Sequence, residues 1–194
     1  MNRTIGRTVL VVAALNLAYF GVEFVAALRI GSVSLLADSV DFLEDTAINI
    51  LIFFALGWSA RRRANVGMCL AALMMMPAAA LLWTLFQKLS GAVPPDPFTL
   101  TAVGAGAFAI NFTCACLLVR HRNQQSHLIR AAFLSARNDV LANVAIIGAG
   151  LITYATLSIW PDIVVGIAIA ALNLDAAKEV WETAQNDRKS DAAP

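Results

Sequence analysis

Two apolar stretches of this chain are interrupted by oxygen donors at helical spacing. Asp38, Asp41, Glu44 and Asp45 fall between Ser34 and Gly57, and Ser135, Asp139 and Asn143 fall between Ala131 and Tyr154. At about 100° per residue, Asp38, Asp41 and Asp45 share one helix face, with Asn49 a turn further on. Ser135, Asp139 and Asn143 repeat the theme at i, i+4, i+8. Asp45 and Asp139 both fall about halfway through a membrane-spanning helix rising 1.5 Å per residue. Carboxylates crowded in a low-dielectric site repel one another, so protons or a cation must neutralise them. A divalent metal does this, and protons replace it when it leaves, which is the chemistry of a metal–proton exchanger. The competing reading is structural: buried ion pairs, Arg137 with Glu44 for example, or hydrogen-bonded helix contacts. Matched stripes on two helices favour the metal.

The elements that must carry these stripes are membrane helices. Of 194 residues, 59% are hydrophobic and 14% charged, with mean hydropathy +0.71; soluble domains are about 25% charged. The net charge of +1 excludes a strongly basic nucleic-acid binder and an acidic disordered tail. Three cysteines without a C-x-x-C exclude a disulfide framework or zinc ribbon. A spanning helix needs about 20 mostly apolar residues. Six blocks qualify: Thr8–Leu28, Ser34–Gly57, Val66–Phe86, Phe98–Val119, Ala131–Tyr154 and the shorter Leu157–Leu174. They lack barrel-like alternation, and the first lacks a cleavage site, so it reads as a retained helix. The expectation is an all-α polytopic membrane protein, with residues 1–175 forming one six-helix unit and residues 176–194 a short cytoplasmic tail.

Charge on the flanks sets the orientation. Arg3, Arg7, Arg61, Arg62, Arg63, Arg120, Arg122, Arg130, Lys178, Arg188 and Lys189 flank one side, against Arg29 and Lys88 on the other. That asymmetry predicts cytoplasmic termini. Gln87–Pro97, with Pro94-Pro95-Asp96-Pro97, reads as an extended outer loop.

The segment Asn16-Leu-Ala-Tyr-Phe-Gly-Val-Glu23, then Gly31-Ser-Val-Ser-Leu-Leu-Ala-Asp38-Ser-Val-Asp41-Phe-Leu-Glu-Asp45, closely resembles helices one and two of the cation diffusion facilitators. Ser135-Ala-Arg-Asn-Asp139 aligns with that family's His-x-x-x-Asp pair on helix five, and Pro161-Asp-Ile-Val-Val-Gly166 is similar to its sixth helix. The resemblance covers nearly the whole chain and is strongest over residues 8–57. It implies a metal site of Asp41, Asp45, Asp139 and Ser135, with Asn138, Asp38 and Asn49 as further candidates. It also implies export of a divalent cation from the cytoplasm by alternating access, with protons as counter-ion and no resident cofactor or enzymatic activity. A homodimer held by transmembrane faces, in the cytoplasmic membrane of a bacterium, follows from the same likeness.

Two departures shape the expectation. Ser135 stands where zinc-transporting members have histidine, so oxygen-only ligation favours Mn²⁺ or Fe²⁺, with Co²⁺ next, over Zn²⁺. The cytoplasmic C-terminal domain of many members has no counterpart in this sequence, which leaves room for a non-transporting, metal-stabilised membrane partner or regulator. A remote alternative is an intramembrane aspartyl protease built on Asp45 and Asp139, although the Tyr-Asp and Gly-x-Gly-Asp contexts are missing.

Other features read as packing. Met74-Met75-Met76 points in three directions on a helix, and Cys114 and Cys116, two apart, point away from each other. Gly104, Gly106, Gly148, Gly150 and Gly166 suit close helix contacts, and the small-residue faces of helices four and six are candidate dimer faces. Trp58, Trp83 and Trp160 suit interface anchors, and His121 and His127 a wet interface. Asn16 and Glu23 share a face of helix one and are placed to buttress helix two.

Overall fold

The computed structural model describes residues 3–54, 79–91, 93–119 and 127–172, with the backbone alone for residues 3, 4, 54 and 127–135. These residues form helices α1 (Arg3–Ile30), α2 (Val33–Phe54), α3 (79–90), α4 (Pro97–Val119), α5 (His127–Thr156) and α6 (Trp160–Leu172), with no strand among them. Ile5–Ile30, Pro97–Val119 and Ala136–Thr156 are long and apolar enough to cross a membrane. α4, at 23 residues, reaches about 35 Å against a hydrocarbon core of about 30 Å. The 22 residues of α2 are nearly as long and differ by carrying four carboxylates. The protein is an all-α integral membrane protein.

Local signals explain the boundaries. Gly31 at φ +62° makes the turn between α1 and α2, a left-handed position that favours glycine. α4 starts with Asp96 as its N-cap, the carboxylate accepting from the Thr99 amide at 2.7 Å, and Pro97 in the first turn. Those Thr99 hydrogen bonds hold the Asp96 carboxyl below its ordinary range.

Two sequence-based boundaries and the setting of one lysine need correcting. α6 begins at Trp160 rather than Leu157, because Leu157 turns left-handed at φ +50° and the Trp160 amide donates to Ser158 Oγ at 3.3 Å. The expected extended loop at Gln87–Pro97 starts only after Ser90, since α3 runs on and Gly91 N–H donates to Gln87 C=O. Lys88, placed by sequence on an outer flank, is buried. Met74-Met75-Met76, Trp58, His121 and the tail 176–194 lie outside the described residues.

α1 packs mainly on α2 and α4 on α5, while lesser contacts join α1 to α4 and α2 to α5. Two apolar layers close the ends of this bundle. One gathers Val33, Leu36, Leu100, Ile146 and Ile163; the other gathers Val9, Val12, Ile52, Cys114 and Leu118. Between them lies a polar stratum containing buried Asn16, Glu23, Asp38, Asp41, Asp45, Asn111 and Asn143. Large apolar side chains such as Leu17, Phe112, Leu141 and Leu151 face outward, as lipid requires.

Small residues let the helices approach. A Cβ on Gly166 would lie 2.7 Å from the Val33 carbonyl carbon, so α6 rests directly on the start of α2. Gly104 is buried against Ile146 of α5. Gly104 and Gly166 thus make their close contacts within the chain, while Ala102 and Ala105 of α4 and Ala168 and Ala171 of α6 are exposed. Gly148 differs, with nothing within 4 Å of its Cβ position.

Candidate metal-transport site

The stripe on α2 faces the bundle interior along its length. Asp38, Asp41, Asp45 and Asn49 are all buried. A mid-membrane carboxylate costs about 3 kcal/mol even on the lenient insertion scale, so each needs donors, a proton or a cation.

Neutral side chains from two other helices supply some of those donors, and a third helix backs one of them. Asn16 Nδ2 on α1 donates to Asp45 Oδ2 at 3.3 Å. Asn143 Nδ2 on α5 donates to Asp38 Oδ2 at 2.6 Å, and Asn111 Nδ2 on α4 donates to Asn143 Oδ1 at 3.0 Å. Asn49 spends its amide on the backbone carbonyl of Asp45, one turn back, and its buried Oδ1 is left without a partner. Glu23 adjoins Asp38. Neither Glu23 oxygen, nor Asp38 Oδ1, receives a hydrogen bond. Two buried carboxyls side by side need a shared proton or a positive charge.

α5 brings Asp139 to the same stratum, half-buried and within electrostatic reach of Asp45, Asp38 and Glu44. Asp41 in turn lies within reach of Asp139. Asp41 and Asp45 of α2 thus both lie within electrostatic reach of Asp139 on α5. Among the described residues, no three His, Cys, Asp or Glu side chains converge closely enough to hold a metal as they stand. Ser135 is on the α5 backbone, and its side chain lies outside the described part. Asn138 is exposed, turned about 100° from its neighbour Asp139, and faces away from the stratum. Arg137 is also exposed, whereas Glu44 is buried.

Three buried contacts have no counterpart in the sequence-based expectation. Cys114 Sγ donates to Asn16 Oδ1 at 3.6 Å, placing a thiol behind the amide that holds Asp45. Its signal was the α4 stripe Leu100, Gly104, Ala107, Asn111, Cys114, Leu118, spaced by threes and fours and buried throughout. The second is Asp162, which caps α2 from α6: its carboxylate accepts from the amides of Val33 and Ser34 and from the hydroxyls of Ser32 and Ser34. The third is Lys88 of α3, which donates to that carboxylate and to the Gly31 carbonyl.

Comparison with known proteins agrees with this geometry. Residues 9–185 match the family described as the cation efflux transmembrane domain. The cation-efflux pump FieF of Salmonella typhi is 31% identical over 166 residues, covering 76% of this chain and 55% of that protein. FieF of Salmonella arizonae is 30% identical over the same shares. The chain spans about half the length of the curated relatives it matches.

Proposed function

The chain belongs to the cation efflux family, and we propose that it exports a divalent metal ion from the cytoplasm in exchange for protons. What supports this is that Asp41 and Asp45, buried on α2, lie within electrostatic reach of Asp139 on α5. A divalent ion entering between those helices offsets two of the negative charges, and protons offset them once it has gone. Alternating access follows if the helices rock so that this stratum opens first to one side and then to the other.

Oxygen donors at Asp41, Asp45, Asp139 and Ser135 suit Mn²⁺ or Fe²⁺ better than Co²⁺ or Zn²⁺. Burial of Lys88 leaves Arg29 alone opposite the eleven basic flank residues. That supports cytoplasmic termini, and the bacterial relatives support a placement in the inner membrane.

Flux through proteoliposomes tests the reading. A metal-sensitive dye inside should report Mn²⁺ entry that accelerates under an imposed proton gradient. Asp41→Ala, Asp45→Ala and Asp139→Ala should each reduce uptake to the empty-liposome rate without loss of insertion. Normal uptake by Asp45→Ala or Asp139→Ala would overturn the site, and flux indifferent to the proton gradient would overturn the exchange. Metal binding without flux would identify a non-transporting partner instead.

A further inference from the structure

The polar stratum holds Asp45 through a neutral side chain of α1. Asn16 on α1 is fully buried and uses both ends of its amide. Oδ1 accepts from the Cys114 thiol of α4 at 3.6 Å, and Nδ2 donates to Asp45 Oδ2 at 3.3 Å. The thiol fixes which way the amide points. A flipped amide would set its oxygen against the carboxylate and its NH₂ against a sulfur that is a weak acceptor. One residue along α2, Thr46 Oγ1 donates to the Phe42 carbonyl at 2.7 Å and also reaches the Ala13 carbonyl of α1 at 3.5 Å, so α1 and α2 lie close at the level of the amide.

A neutral donor at this place has a consequence that a cationic one would not. Lysine or arginine beside Asp45 would cancel the charge that attracts a divalent ion, and would compete with it. An amide stabilises the ionised carboxylate and sets its plane while leaving its charge in place. Asp45 can then present the same rotamer to each arriving ion, and sites of this kind tolerate errors of only about 0.5 Å.

We infer that Asn16, aimed by Cys114, is the positioning residue of the transport site, orienting Asp45 for the metal from α1 and α4. The inference rests on the reading of Asp45 as a metal-binding carboxylate. It assigns α1 and α4 a part in cargo binding, beyond packing.

Transport kinetics of the full chain in proteoliposomes, with Mn²⁺ as the probe, test it. Asn16→Leu should raise KM about tenfold, the effect of a lost hydrogen bond to a charged group, with a much smaller change in kcat. Asn16→Gln should recover part of that loss. Cys114→Val should raise KM about threefold, in line with a neutral hydrogen bond, and Cys114→Ser, which keeps a donor, should recover most of it. In the Asn16→Leu background Cys114→Val should add little, because it acts through the amide already removed.

Asp45→Ala, measured alongside, separates the two levels. If Asp45→Ala transports normally, the site reading fails. If Asp45→Ala is inactive while Asn16→Leu keeps the parent KM, the positioning role alone is overturned, as it is by full additivity of the two substitutions. If Asn16→Leu does not insert, the Cys114→Val and Cys114→Ser pair carries the test, and an unchanged KM in Cys114→Val overturns the inference.

Discussion

Lys88 on α3 and Asp162 on α6 form a buried ion pair at 2.5 Å, 74 positions apart in sequence, beneath the first turn of α2. The pair closes one end of the bundle. Asp162 neutralises the lysine and satisfies the orphan amides of Val33 and Ser34, as an N-cap residue does, although it comes from another helix.

Removing either partner should destabilise the fold, and not equally. Breaking a buried pair leaves an uncompensated charge and costs about 3–5 kcal/mol. Asp162→Ala also strips the acceptor from two amides and two hydroxyls, so it should lower the thermal midpoint in detergent more than Lys88→Met does. The double variant should sit above the sum of the two losses. Equal midpoints for Asp162→Ala and the parent would refute the cap.

Position 135 should set the metal ranking. Replacing a hydroxyl donor by imidazole changes both softness and preferred geometry, so Ser135→His should raise Zn²⁺ transport relative to Mn²⁺. Competition between equal concentrations of Mn²⁺, Fe²⁺, Co²⁺ and Zn²⁺, run on both versions, measures it. An unchanged ranking would remove Ser135 from the metal's coordination sphere and leave the orphan Asn49 Oδ1 as the next donor to examine.

Gly166 and Gly148 should respond oppositely to alanine. A Cβ at Gly166 meets backbone, Val33 C at 2.7 Å and Ser34 N at 2.8 Å, and backbone cannot swing aside. Gly166→Ala should therefore push α6 off the start of α2, loosen the Asp162 cap and cost about 1–3 kcal/mol. Gly148→Ala fills open space and should stabilise α5 by up to about 1 kcal/mol through helix propensity. Thermal midpoints of the two variants in one detergent decide this.

The α2 stripe was legible because its information is local. Carboxylates recurring at helical spacing inside an apolar run mark an inward face without knowledge of any partner, and Asp41 and Asp45 are buried. Asp139 was legible for the same reason; Asn138, a further candidate by sequence, is exposed, as its adjacency to Asp139 on one helix dictates. What escaped was set by partners distant in the chain. Lys88 looks like an interfacial charge until Asp162 is beside it. Cys116, two positions on, gives no clue to the partner of Cys114, Asn16, which lies 98 positions away. The α5–α6 boundary slipped because Leu157 adopts a left-handed conformation that its side chain gives no reason to expect.

The cap on α2 also imposes an order on biogenesis. Ser34 is synthesised 128 residues before the carboxylate that receives its amide and hydroxyl. Until α6 emerges, the nascent α2 carries unsatisfied amides at its start and four carboxylates along its length, and lipid is a poor solvent for both. Its lateral release from the insertion machinery should therefore wait for the last helix. Ribosomes arrested just after Thr156 should leave a cysteine introduced at Ser34 open to a water-soluble thiol reagent, and extension beyond Leu172 should close it.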